Sequence, residues 1–598
     1  MQGEAWLLRY ERDGQRAALQ NAVQLLELAV RAAPAGSAHW RRVLDRYWRA
    51  LVARAALSQS PDDIALSAEW AGRLAESYEA VEGSNLDTLP ARIGRAEALL
   101  RLGRHRDALA AADEAIATAE RIVGPVARCL QASALAVKAT CQIALGEPYE
   151  ALETGALALQ TILSLSPDDR LRSAEAHATV LDGYVRCLIE VGQHGDAIRY
   201  ADEAVHVSRR LSGQRLSTAV RLQQMAGLLL SLGKGTAALG PAREAVELYR
   251  TLSGSDPDTW MLRLITALED LGHCFRLNIQ IAAAEETFAE RASLCRQVHS
   301  RTMLSDNDLA MALRDLGNAL VEAGRTDAAI EAYREAVARW ETLDLNSAEA
   351  VFAGDLKVWM ANLLDADGRY DEAADVGRSA LTSLHTQDGE AIPQIKANLA
   401  AVLYTLAHSV RFSGDLEEAR ALARDCVDQF QDLVTHDSVP ARPDLATALT
   451  LLAEVEHACG DLVAAMRSAY KATESYRLLA ADDRVQLPHL AGSLSNLGFL
   501  YAELEVWAAA NSVLTESIST YDGLRTTRRY PLSRHSLELA AALERRATLP
   551  QSIVDNRTAR RDLIDAIRIY EAVSQPDSEH KERLRGLRAA LAALPRRS

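Results

Sequence analysis

The sequence has few cysteines, and none stands in a pattern that would hold a metal or a structural disulfide. Its seven cysteines are spread over 598 residues, and no two of them form a C-x-x-C pair. Disulfide-stapled domains and zinc modules instead concentrate cysteines at short, regular spacings. The cysteines are therefore interpreted as small buried hydrophobes in a protein of a reducing compartment.

Long hydrophobic runs are missing as well. No stretch approaches the roughly 18 consecutive apolar residues of a membrane-spanning helix. The first ten residues already carry Glu4 and Arg9, which a secretory signal would not place there. Neither a membrane span nor a signal peptide is predicted, and the protein is expected to be cytoplasmic.

Lysine is scarce, and negative charge is in excess. Only six of the 66 basic residues are Lys, and the formal net charge is −16. The abundance of Arg and Ala indicates a bacterial source with a GC-rich genome. An acidic body repels phosphate backbones, which disfavours a nucleic-acid partner. Because residues 525–598 contain 16 basic residues against 9 acidic ones, the chain is divided into a repeat array, 1–524, and a basic carboxyl-terminal repeat with a capping helix, 525–598.

Motifs for catalysis and for cofactor binding are also absent from the sequence. The segment 233–236 has the Lys of a phosphate-binding loop, but Leu228 stands where the first Gly of that loop should be. No H-E-x-x-H pair, nucleophile elbow or dinucleotide fingerprint occurs. A non-catalytic protein is predicted, with no cofactor and no bound metal.

What the sequence does contain is a repeat about 45 residues long. A small or apolar residue marks this period thirteen times, and a glycine often stands five residues before the marker. Small residues four and seven places after the marker share a helix face with it, and the glycine suits the end of a preceding helix. Each unit is therefore predicted to be a helix, a glycine turn and a second helix, and the chain all-α. The markers are Ala18, Ile64, Ala108, Ala151, Ala197, Ala238, Ala284, Ala329, Ala373, Ala419, Ala465, Ala510 and Ala559.

In the clearest unit, Leu316, Gly317 and Leu320 lie on the first predicted helix, and Ala329 and Tyr333 lie on the second. Their spacing follows the pattern L-G-x-x-Y…A-x-x-x-F, so this unit resembles the tetratricopeptide repeat (TPR). The period exceeds the usual TPR length of about 34 residues, as in the long-helix, kinesin-light-chain-like version of the family. The resemblance implies a right-handed superhelical α-solenoid of about thirteen TPR-like repeats. It also implies a groove lined by the first helices.

The positions that face the groove in this family become polar in the seventh to tenth units. Arginine and asparagine side chains there can hold the carboxylates and backbone amides of a peptide. The candidate groove residues are Glu269, His273, Arg276, Arg314, Asn318, Asn362, Asp365, Tyr404, His408 and Arg411. A second candidate is the amino-terminal cluster of Trp40, Arg41 and Tyr47. The other interpretation of that cluster is that it caps the repeat stack.

These features favour a non-catalytic protein-protein interaction scaffold that binds a protein or an extended peptide along its groove. One alternative is a ligand-responsive sensor module, for a peptide or a small molecule, acting on a partner effector such as a STAND-type signalling protein. Another is an enzyme whose site is built from groove residues such as Glu269, His273 and His408. Self-association through the ends of the repeat array also stays open.

Overall fold

The protein is built from α-helices in two compact units. The computed structural model describes residues 2–13, 16–58, 60–81, 85–211, 215–300, 304–342, 348–385, 393–435, 441–525, 532–572 and 578–594. The described residues contain helices and turns and no strand, which confirms the all-α prediction. The units are Met1–Arg325 and Thr326–Ser598. The division at 524/525, which follows charge, stays a prediction.

The first unit is a stack of helical hairpins, in which the long helices pack in chain order, each against the next long helix. Its helices are α1 (Gln2–Asp13), α2 (Arg16–Ala32), α3 (Ala38–Ser58), α4 (Pro61–Glu79), α5 (Asn85–Arg101), α6 (His105–Glu120), α7 (Pro125–Ala144), α8 (Pro148–Leu163), α9 (Pro167–Arg172), α10 (Ala174–Glu190), α11 (His194–Arg209), α12 (Arg215–Ser231), α13 (Gly235–Ser255), α14 (Pro257–Leu277), α15 (Ile281–His299) and α16 (Asp306–Glu322).

The second unit is built in the same way. Its helices are α17 (Thr326–Trp340), α18 (Ala348–Ala366), α19 (Tyr370–His385), α20 (Pro393–Ser413), α21 (Leu416–Thr435), α22 (Ala441–Ala458), α23 (Leu462–Asp482), α24 (Leu487–Glu503), α25 (Trp507–Arg525), α26 (Leu532–Ala547), α27 (Asn556–Glu571) and α28 (Ser578–Ala593). A 3₁₀ turn, Arg484–Gln486, precedes α24. Among the described helices, none combines the length and apolar character needed to cross a bilayer.

Every marker residue of the sequence repeat is buried, with at most 5% of its surface exposed. Small side chains let two helices approach to about 8–10 Å, and the larger residues of the repeat fill the space between hairpins. The Phe288 ring, fully buried, illustrates this, because it lies directly over the backbone of Gly272 on the preceding helix. The core of each unit is therefore built from small residues where helices touch and from larger apolar residues between the hairpins.

Nine of the described hairpin turns share one conformation, seven of them at a glycine and two at another residue. At Gly324 φ is 72°, and the N–H groups of Gly324 and Arg325 donate to the carbonyls of Val321 and Leu320 at 2.9 and 2.8 Å. This is the bonding pattern of a Schellman turn, which needs the left-handed conformation. Ile279 and Glu505 occupy the same place in their hairpins with φ of 56° and 60°. Stacking of the hairpins thus imposes a glycine conformation on residues that disfavour it.

We expect Ile279→Gly to stabilise the protein by about 1 kcal/mol, because a β-branched residue in the left-handed region carries a cost of that order. The Ile279 side chain is 83% exposed, so its removal takes little from the core. The midpoint of urea unfolding, followed by circular dichroism, measures the gain.

Gly324→Ala is the matched control for the turn. A Cβ at Gly324 meets no atom within 4 Å, so this change tests the backbone conformation alone. It should destabilise by a similar amount of about 1 kcal/mol. Unfolding midpoints that fall for both variants would contradict this account of Ile279.

Arginines on the second helices pair with glutamates on the second helix of the next hairpin. In the first unit Arg209 donates to Glu244 at 3.1 Å and Arg250 to Glu290 at 2.7 Å. In the second unit Arg378 donates to Glu418 and Arg477 to Glu516, each at 3.0 Å. Exposed pairs of this kind contribute about 0–1 kcal/mol each. They nevertheless favour one alignment of neighbouring hairpins, since each pair joins residues 35–40 positions apart.

Candidate functional site

The ten candidate groove residues all lie on first helices, five in each unit. The residues in the first unit are Glu269, His273 and Arg276 on α14 and Arg314 and Asn318 on α16. The residues in the second unit are Asn362 and Asp365 on α18 and Tyr404, His408 and Arg411 on α20. We call these sets the first-unit site and the second-unit site, and each is described by itself.

A buried arginine from a second helix organises the first-unit site. Arg291 of α15 donates to Asp315 Oδ2 at 2.7 Å and to Glu269 Oε2 at 2.6 Å. The Arg291 side chain is 6% exposed and that of Asp315 2% exposed. Arg314 donates to the other Asp315 oxygen at 2.8 Å, so two cations balance two carboxylates. The candidate residues Glu269 and Arg314 are thus held in place by partners outside the candidate set.

The sequence pattern also points to Arg291, although Arg291 does not stand at a groove-facing position. Arg291 lies seven residues after the marker Ala284, at the place where several other units have a buried Ala. Buried charged residues are almost always paired. A charged residue at a position reserved for a small buried one therefore indicates a carboxylate close by.

His273 lies beside the same carboxylates. One ligand-type atom from each of Glu269, His273 and Asp315 lies within 4.8 Å of the others, which is a spacing seen in metal sites. Arg291, however, already donates to both carboxylates, so its guanidinium occupies the position of the cation. Burial lowers the pKa of His273, and its ring packs edge-on against Phe288 with ring centroids 5.3 Å apart. A neutral, packed imidazole fits this environment.

The remaining first-unit residues lie toward the end of the first helices. Arg276 donates to Glu322 Oε1 at 2.8 Å, which joins α14 to α16. The Arg276 side chain is 31% exposed and that of Glu322 36%. Asn318 is half-buried on α16, one turn after Arg314. This end of the site therefore presents partly exposed polar groups.

The second-unit site is organised around Asp365. Ser409 donates to Asp365 Oδ1 at 2.6 Å, and His408 Nδ1 lies 2.9 Å from the same oxygen. Burial alone would raise the pKa of Asp365, but the hydrogen bonds from His408 and Ser409 outweigh burial and hold the pKa below its ordinary value. The carboxylate thus joins α18 to α20.

Two further contacts extend the second-unit site. Arg411 donates to Glu454 Oε2 of α22 at 2.6 Å. Asn362 is exposed and accepts a hydrogen bond from the Thr405 hydroxyl through Oδ1, and its Nδ2 group has no partner among the described residues. Burial raises the pKa of Tyr404 to about 12, so the phenol stays neutral. Polar contacts therefore run without a break over α18, α20 and α22.

The second-unit site contains the residue types of a hydrolytic triad in a different arrangement. In a working triad the imidazole takes the proton of the nucleophile, and the carboxylate orients the imidazole. Here the Ser409 hydroxyl and the His408 ring both contact Asp365 Oδ1. The imidazole is therefore not placed to activate this hydroxyl. The arrangement offers hydrogen-bond donors and acceptors for recognition.

The amino-terminal candidates contribute to packing. Tyr47 is 2% exposed, and its ring meets Trp70 edge-on with centroids 5.2 Å apart. Trp40 packs against the same core, and Arg41 donates to the Gly36 carbonyl at 2.7 Å. This placement agrees with a capping role for the cluster, and a binding role stays a prediction.

Comparison with known proteins relates the repeat to a described family. Two family models, both described as tetratricopeptide repeat, match the chain, one over residues 314–388 and the other over 93–126 and 218–258. No curated protein matches the chain. The matched segments fall in both units, so the same kind of repeat recurs in each.

Solved structures similar to this chain share little sequence with it. BtubC (BKLC) from P. vanneervenii is 20% identical, with 40% of this chain and 90% of that one covered and a TM-score of 0.33. The apo form of RapI is 11% identical, with coverages of 66% and 98% and a TM-score of 0.43. Kinesin light chain TPR-like repeats from Podosopora anserina are 17% identical, with coverages of 37% and 96% and a TM-score of 0.29.

Proposed function

Since this chain is a tetratricopeptide-repeat protein, we propose that it is a non-catalytic scaffold that holds a protein partner or an extended peptide against its first helices. Protein interaction is the general role that such repeats support. The observation that carries the more specific proposal is the continuous set of polar contacts over α18, α20 and α22 in the second unit. Asp365, His408, Arg411 and Glu454 lie half-buried there, each fixed by a neighbour one repeat away.

Such a surface suits an extended chain for geometric reasons. Neighbouring packed helices lie about 10 Å apart, and an extended peptide advances about 3.3 Å per residue. Roughly every third peptide residue would then meet a new first helix. Fixed side chains lose little conformational freedom on binding, which favours affinity.

We expect the triple variant Asn362→Ala, His408→Ala, Arg411→Ala, which changes only the second-unit site, to lose partner binding. Arginines at the centre of an interface often contribute 2 kcal/mol or more, so we expect at least about thirty-fold weaker binding. Partners captured from a lysate of the source organism by the intact protein would be identified by mass spectrometry. Their dissociation constants would then be measured with purified proteins.

The control variant carries Arg250→Ala, Arg378→Ala and Arg477→Ala on the second helices. It removes the same number of side chains from the pairs that join neighbouring hairpins, away from the first helices. Circular dichroism would check that both variants keep their helices. A partner that binds both variants as tightly as it binds the intact protein, or that is lost only from the control, would contradict the proposed binding surface.

A further inference from the structure

A pocket of about 430 Å³ opens within the second unit, between first helices of four successive hairpins. Sites for small molecules span about 300–1,000 Å³, so this pocket is large enough for one. Its walls come mainly from α20, α22, α24 and α26, with Leu416 of α21 and Ala469 of α23. The residues that matter for the argument are Phe412, Glu454, His457, Asn496, Phe499 and Arg545.

Arg545 is a half-buried cation at the wall of this pocket, and its partners are neutral. Its Nη1 group donates to Ser495 Oγ at 2.8 Å and to Asn496 Oδ1 at 3.2 Å. Among the described residues no carboxylate forms an ion pair with it, and Nε and Nη2 make no hydrogen bond. The next residue, Arg546, is different, because it donates to both oxygens of the buried Asp562 at 2.7 and 2.8 Å. Arg545 thus keeps one edge of its guanidinium open for an anion.

The amide of Asn496 adds a second donor beside Arg545. Its Oδ1 accepts from Arg545, which leaves the Nδ2 group to point away from that bond. In the part of the chain that the structure describes, Nδ2 has no hydrogen-bond partner. A carboxylate in the pocket can accept from both the guanidinium and this amide, and a guanidinium binds carboxylates best with two parallel hydrogen bonds.

The other charges around the pocket do not neutralise Arg545. Glu454 also lines the pocket, but Arg411 already donates to it at 2.6 Å. Glu544 pairs with Arg583 at 3.1 Å. Burial lowers the pKa of Arg545, and the nearby Arg583 lowers it further. The local field therefore favours a negative ligand.

Aromatic rings and aliphatic side chains together supply the apolar part of the pocket. The Phe499 ring contacts His457 edge-on, at a centroid distance of 5.4 Å, and the Arg545 guanidinium lies 5.1 Å from the Phe499 ring centroid. Phe412 on the opposite helix is 50% exposed. Flat apolar groups pack well against such rings, in offset or edge-on contact.

We propose that this pocket binds a small aromatic carboxylic acid, with its carboxylate on Arg545 and Asn496 and its ring against Phe499. Arg411 and Glu454 of the proposed scaffold surface also line this pocket. The proposal does not require the scaffold role, because the residues assigned to the ligand, Arg545, Asn496 and Phe499, are not candidate groove residues. It assigns to the second unit a ligand site whose occupant can be a free metabolite.

The test uses 2-naphthoate as the probe and naphthalene-2-carboxamide, its neutral counterpart, as the control ligand. Titration calorimetry on the full-length protein should give saturable binding of one naphthoate per chain. Losing a charged hydrogen bond costs about 1.5–3 kcal/mol, so we expect Arg545→Gln and the carboxamide each to weaken binding by at least about ten-fold. Arg477→Gln, which removes an exposed arginine from a second helix of the same unit, should bind naphthoate as the wild type does.

Three results would overturn the proposal. They are no saturable naphthoate binding at millimolar concentration, equal binding of naphthoate by Arg545→Gln, and equal binding of the acid and the carboxamide by the wild type. The third comparison needs no variant, so it decides the matter even if Arg545→Gln fails to fold. Partner capture by the scaffold is measured separately, and its loss or retention leaves this outcome unchanged.

Discussion

Arg291→Met is expected to lower the free energy of local unfolding in the first unit by about 3–5 kcal/mol, because it leaves a buried carboxylate without its main cation. Asp315 is 2% exposed and cannot turn to water, and Arg314 alone then remains to balance it. Methionine is similar in length to arginine, so the loss of stability measures the missing charge more than any lost packing. Hydrogen-exchange mass spectrometry of peptides from α14, α15 and α16 measures the local opening free energy.

Arg250→Met is the matched control for this prediction. Arg250 lies in the same unit and donates to Glu290 at 2.7 Å, but its side chain is 43% exposed. An exposed pair is worth about 0–1 kcal/mol. The triple variant Arg291→Met, Asp315→Leu, Glu269→Gln should recover most of the loss, since replacing a whole buried charge cluster is often close to neutral. Similar protection changes for Arg291→Met and Arg250→Met would contradict the assignment.

Phe288→Ala is expected to destabilise the first unit by about 3–5 kcal/mol. The ring is fully buried in the hydrophobic core that α12 to α16 build together. The contact of the Phe288 ring with Gly272 allows a second, more specific prediction. A Cβ on Gly272 would lie 2.6 Å from two Phe288 ring carbons, so Gly272→Ala in the intact protein should cost about 1–3 kcal/mol.

The effect of Gly272→Ala should change sign in the Phe288→Ala background. The clash is then gone, and Ala is a better helix former than Gly by about 1 kcal/mol. A double-mutant cycle followed by hydrogen exchange of α14 and α15 measures this coupling. Additive effects of the two changes would show that the Phe288 ring does not lie over Gly272.

The repeat pattern in the sequence predicted most of the fold. A small residue at a fixed period marks the points where helices touch, and all thirteen markers are buried. The glycine turns were also predicted, except in the units where Ile279 and Glu505 replace glycine. Those two turns show that local preference yields to packing, because the neighbouring helices fix the path of the chain.

The contacts within the candidate site could be predicted from the sequence only in small part. The groove positions identified Glu269, Arg276 and Arg411 as polar, but not what each of them pairs with. Their partners Arg291, Glu322 and Glu454 come from other helices, 22 to 46 residues away. Such pairs depend on how far each hairpin is rotated against the next, which a single sequence does not specify. The sequence identifies Arg545 only as one arginine of a basic segment. That it has no carboxylate partner among the described residues depends on how the helices pack.

The arginine–glutamate pairs on the second helices also bear on how the number of repeats can change during evolution. Two successive joints in the first unit use the same chemistry in the same direction, Arg209 to Glu244 and then Arg250 to Glu290. If the hairpin of α12 and α13 were lost, α11 would adjoin α15, and Arg209 would meet Glu290 where it now meets Glu244. Gene duplication of one hairpin would recreate the same pair at the new joint. In this part of the chain, a whole repeat can therefore be gained or lost without leaving mismatched charges between neighbouring second helices.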